Sequence, residues 1–166
     1  FQSDIIPFFI FMIDENSDGM LDERESKDLI EIFWNTKHAF VQLRILMNSE
    51  CCVYPSLQSE FYKNVILKTS TDIIFNHKTL LDAWKEEYFE EASLLSYDNE
   101  DDPSIVLNYN LKSFDGESYS TLLKCVALQK IVSRNIVGLK EIIKPMLVSS
   151  NERIRKVAEW AYDNAK

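Results

Sequence analysis

Only three glycines, Gly19, Gly116 and Gly138, and four prolines punctuate 166 residues. Sheet proteins turn the chain at short intervals and draw on glycine, proline and asparagine to do so. A chain with so few breakers is poorly suited to a sandwich or barrel, and glycines this scattered cannot build a phosphate-cradling loop. Apolar residues at helical spacing fill the intervals instead. The expected fold class is all-α.

Hydrophobic residues at 46% and charged residues at 27% are globular proportions and exclude wholesale disorder. A chain of this length buries about 70% of its unfolded surface, enough for a core without disulfides. The three cysteines, two of them adjacent as Cys51 and Cys52, fit reduced thiols in a cytoplasmic protein. No CxxC pair offers a structural zinc site. The longest apolar run, Ile5–Ile13, has nine residues, under half of the roughly 20 that a membrane-spanning helix needs. With no initiator Met and no signal-peptide pattern, the chain reads as an excised fragment.

Charge is unevenly distributed. The net charge is −9, which argues against nucleic acid or an anionic membrane as a partner. Asp14–Glu25 carries −5, residues 82–102 hold nine acids against Lys85 alone, and residues 120–166 carry +5. The bases of that tail form no stripe with aromatics.

Spacing predicts a first helix from an Asp4 cap to Ile13 and a second from about Asp22 to Phe33–Trp34, then a break at Asn35-Thr36 and a helix to about Met47. Asn48–Ser56 reads as a loop, with Ser56 capping a helix to about Lys68. Thr79 and Asp82 open another, with Leu81, Trp84, Tyr88, Ala92 and Leu95 on one face. Ser96–Ser104 reads as an acidic linker, 105–114 as extended, and Asp115-Gly116 as a turn. Helices follow over 120–134, 136–148 with a kink at Pro145, and 151–165 with a Ser149/Glu152 capping box. The chain thus divides into 1–95, an acidic linker or extended segment over 96–118, and a helical region over 119–166.

Residues 14–25, DENSDGMLDERE, carry the one pattern with chemistry in it. Asp14, Asn16 and Asp18 alternate along the stretch, Gly19 permits a sharp turn, Met20 offers its carbonyl, and Asp22 and Glu25 follow. Calcium takes six to eight hard oxygen ligands, and alternating side chains on a curled loop converge on one centre. The string resembles the EF-hand calcium loop at each defining position. Ile6, Phe9, Ile10 and Ile13 before it, and Leu29, Ile30 and Phe33 after it, fall where that family has apolar residues. Ser26 departs from the pattern, since the family usually has a hydrophobic residue there. The resemblance implies one calcium ion held by Asp14, Asn16, Asp18, the Met20 carbonyl, Asp22 and Glu25. It also implies that Leu21 meets a partner loop. Asn48–Phe61 is the best match to a degenerate partner hand, without the carboxylates to bind metal.

More weakly, Met146–Ala165 resembles one armadillo or HEAT repeat, through Arg155, Ala158, Trp160, Ala161 and Asn164. Glu86, Glu87, Glu90 and Glu91 read as a solvated helix face. His38, His77 and the cysteines form no catalytic arrangement, so no enzyme is expected. The expected role is calcium-dependent regulation of a protein–protein interaction within a larger protein or assembly. The alternative is a helical scaffold or adaptor in which calcium is a constitutive structural ion.

Overall fold

The computed structural model describes residues 21–83 and 109–166, and these form an all-α fold. Helix α1 (Glu23–Asn35) places Ser26, Leu29 and Phe33 on one buried face, three or four residues apart. It stops at Thr36, whose backbone is extended. α2 (Ala39–Met47) is buried from Leu43 through Met47 and also at Ala39 and Val41. A helix apolar on nearly every side must lie in the middle of a fold, and α2 does. A single turn, α3 (Ser49–Cys52), leads through Val53 and Tyr54 into α4 (Pro55–Lys68). Residues 77–83, which close the first described stretch, are helical.

The second described stretch begins with a 3-10 turn, Leu111–Phe114. α5 (Tyr119–Ser133) follows, then α6 (Lys140–Ile143), a 3-10 turn over Lys144–Val148, and α7 (Glu152–Asn164). α5 is the hub, packing against α2, α4 and α7. Leu122, Leu123, Val126, Ala127, Leu128 and Ile131 are fully buried, so it too is apolar around most of its circumference. Phe33 and Phe61 meet edge to face at 5.0 Å between ring centres, joining α1 to α4. That geometry suits the aromatic quadrupoles better than a stacked sandwich.

The segments before α5 and before residue 77 are tied by backbone. Phe75 N–H donates to the Glu117 carbonyl at 2.7 Å, Gly116 N–H to Phe75 at 3.1 Å, and Tyr119 N–H to Ile73 at 2.8 Å. Ile74 and Ser118 form the antiparallel bridge at the centre. Gly116, with φ +90°, makes the turn that allows it.

Several local expectations are corrected. α4 starts at Pro55 with Tyr54 as its cap residue, not at Ser56: a proline has no N–H to lose in the first turn. Asn76, not Thr79, caps the helix at 77, its Oδ1 accepting the Thr79 N–H at 3.0 Å. The 105–114 stretch is not extended at its end. Leu111 and Phe114, three apart, share the buried side of a 3-10 turn, and alternation misreads that period. Asn151, not Ser149, caps α7 by accepting from Ile154 N–H. Ser149 instead accepts the Asn151 N–H at 3.1 Å. Along α7 and its C-cap, Ala158, Ala161 and Ala165 are buried and Ile154 and Val157 half-buried. Among the described residues no helix is long and apolar enough to cross a membrane.

Candidate metal centre

Asp22 and Glu25, the last two expected ligands, sit on the first turn of α1. Asp22 is the N-cap: its Oδ1 accepts the Glu25 N–H at 2.8 Å, while Glu25 Oε1 accepts the Asp22 N–H at 3.3 Å. Each carboxylate thus satisfies a backbone donor that the helix start leaves open. Negative charge also suits this end of the helix dipole. Asp14, Asn16, Asp18 and Met20 lie outside the described residues, as do the preceding apolar flank and the 84–108 acidic stretches. Within 21–83 and 109–166, no cluster of three or more His, Cys, Asp or Glu side chains could hold a metal ion.

The fit to calcium is tested by the chemistry of these two donors. Both are hard oxygen ligands, brought together in one turn at the loop's exit. The capping box engages Oδ1 of Asp22 and Oε1 of Glu25. A cation taking both oxygens of Glu25 must therefore share or release the longer bond to Asp22 N–H. A cation bound there would thus act on the start of the helix.

Leu21, just before the cap, is buried, and its N–H donates to the Cys51 carbonyl at 3.0 Å. The 21–26 turn and the 48–54 loop are thereby joined backbone to backbone. A second bond strengthens the contact. Ser26 is fully buried, and its Oγ accepts the Tyr54 N–H at 2.9 Å, at the start of α4. The serine that breaks the apolar pattern thus supplies the acceptor that an aliphatic side chain there would not. That departure was the available signal for this latch, although the sequence does not identify its partner.

The 48–54 connection, expected as an irregular loop but helical over Ser49–Cys52, is held by polar bonds of its own. Asn48 Nδ2 donates to the Arg44 carbonyl at 2.8 Å, and Gln58 Nε2 to the Val53 carbonyl at 3.0 Å. Ser49 Oγ and the Tyr62 hydroxyl are 2.6 Å apart. Burial pushes the Tyr62 phenol up to about 12, against the opposing effect of its Ser49 bond, so it stays protonated. Lys130 reaches in from α5 to the Met47 carbonyl and to Glu50. That contact spans 80 residues and has no local sequence signal.

The remaining candidates separate. His38 is exposed, whereas His77 is buried, with its backbone N–H donating to Asp115 Oδ1 at 2.6 Å. Among the described residues Cys51, Cys52 and Cys125 form no disulfide, and burial pushes the Cys125 thiol up to about 12. At α7, Arg155 donates to the Ser149 carbonyl at 2.9 Å, while Trp160 is exposed and Asn164 Nδ2 donates to the Trp160 carbonyl at 2.8 Å. Comparison with family models, curated proteins and solved structures returns no match.

Proposed function

We propose that this chain is a calcium-binding regulatory module that modulates a protein–protein interaction within a larger protein or assembly, in the cytoplasm. The observation that carries this reading is the 14–25 string, which alternates oxygen ligands, places glycine at the turn and ends in Glu25. Its closing carboxylates lie on the first turn of α1, where a ligand move becomes a helix move. The Leu21 and Ser26 bonds to the 48–54 loop support reading 48–61 as a metal-free partner hand. In this reading Glu25 draws the start of α1 toward the loop, and the exposure of Ile6, Phe9, Phe33 and Trp34 changes. The C-terminal region from residue 119, read as armadillo- or HEAT-like, carries the connection to the larger assembly.

One observation favours a second reading. Leu29 and Phe33 are fully buried, so α1 is already docked on the core. Calcium would then be a constitutive structural ion in a helical scaffold or adaptor. A calcium titration followed by a fluorescent hydrophobic probe separates the two. A regulatory module gains or loses probe binding over micromolar calcium. A structural site raises Tm and leaves the probe signal flat. A chain whose probe signal and Tm both ignore calcium has neither function.

A further inference from the structure

The loop that packs against the candidate metal loop is supplied with a cation from within the chain. Lys130, near the end of α5, is 6% exposed. Its Nζ donates to the Met47 carbonyl at 3.0 Å and to Glu50 Oε2 at 2.5 Å. Both acceptors lie where α2 passes into α3, at the mouth of the 48–54 loop. An ammonium this buried is tolerated only where counter-charge and hydrogen bonds replace its water. A backbone carbonyl and a carboxylate provide them, and these are the kinds of oxygen donor that such a loop offers a metal. Here the positive charge arrives on a side chain 80 residues along the chain from Glu50.

We propose that Lys130 is a tethered cation that closes the 48–54 loop in place of a metal ion and pins α5 to it. The consequence reaches the neighbouring loop. Cys51, inside the closed segment, presents the carbonyl that receives the Leu21 N–H. The position of that acceptor, bonded to the residue just before Asp22, is therefore set by a charge on α5 and not by a second calcium. The inference deepens the reading of 48–61 as a paired hand and rests on it for the comparison with a metal.

The test uses the full chain in calcium-free buffer. Lys130→Ala removes the three terminal carbons and the nitrogen, the outline of propylammonium. Its Tm is expected to fall by about 5–10 °C and to recover in part with millimolar propylammonium but not with 1-propanol. If Lys130→Ala does not fold, a double-mutant cycle of Lys130→Met and Glu50→Gln decides the question. The double variant is expected to melt no lower than Lys130→Met alone, and the Leu21 amide to exchange faster in both Lys130→Met chains. Equal recovery with the alcohol, no recovery with either compound, or strictly additive losses in the cycle would overturn the proposal and leave Lys130 an apolar stem with an incidental ion pair. A chain that passes these tests but takes up no calcium retains the tethered cation and loses the calcium reading. The reverse outcome removes only the tethered cation.

Discussion

On the proposed calcium reading, Asp22 and Glu25 each have two roles that ordinary alanine substitution would confuse. As capping residues they satisfy backbone donors with or without metal; as ligands they matter only when calcium is present. Asn caps a helix as well as Asp, and Gln completes a capping box as well as Glu. Without calcium, Asp22→Asn and Glu25→Gln should therefore lose only the attraction between charge and helix dipole, about 0.3–1 kcal/mol each, while Asp22→Ala should lose the cap as well, about 1 kcal/mol more in denaturant melts. In calcium titrations the order changes. Glu25→Gln should be the more damaging, because Asp22 occupies the loop position that often reaches the ion through water. Ser26 has a different test. Ser26→Ala leaves the Tyr54 N–H without its acceptor and should cost about 1 kcal/mol, with faster exchange of the Tyr54 amide. An unchanged denaturation midpoint would show that water replaces the serine at no cost.

At the scale of elements, the turn joining residues 73–75 to 116–119 depends on a backbone that only glycine adopts easily. A Cβ at Gly116 would meet nothing within 4 Å, so any penalty in Gly116→Ala comes from φ +90° and not from a clash. The expected loss is about 1–2 kcal/mol in urea unfolding; a neutral variant would mean the turn relaxes to another conformation. How far such elements are readable from sequence depends on the range of the forces that make them. The span of α1, its stop at Asn35, the end of α4 at Lys68 and the turn at Gly116 all follow from neighbouring residues. Helix caps are less secure, because Ser56 competes with Tyr54 and Ser149 with Asn151, each only two positions away. The Ser26–Tyr54 and Lys130–Glu50 bonds are set by tertiary packing, and no pattern along the chain announces them. At the candidate site, the proposed ligand types and their order rest on the sequence alone, while the reciprocal cap between Asp22 and Glu25 is visible only in the folded chain.

For the molecule as a whole, the buried acids set an alkaline limit. Burial pushes the phenols of Tyr62 and Tyr119 from 10.0, and the thiol of Cys125 from 9.0, up to about 12. Each group holds its proton more tightly folded than unfolded. Their contribution to stability is complete below the unfolded values and is lost as pH rises from about 9 toward 12. Denaturant midpoints should therefore fall steadily above pH 9, with tyrosine ionisation at 295 nm tracking unfolding. Early ionisation of all the tyrosines in a still-folded chain would contradict the burial described. Cys51, half-buried, should react with a thiol reagent well before Cys125.

The calcium reading concerns the whole chain and can be tested most directly by isothermal titration of parent and Glu25→Gln proteins with calcium. One ion per chain is expected, with Kd in the range of about 10⁻⁷–10⁻⁵ M, weakened about ten- to a hundredfold in the variant, which is about 1.4–2.8 kcal/mol. Equimolar magnesium should displace little of it, because magnesium prefers octahedral ligands and sheds water reluctantly. No heat of binding in the parent, or a Glu25→Gln chain that binds as tightly, would contradict the assignment of residues 14–25 as a calcium loop.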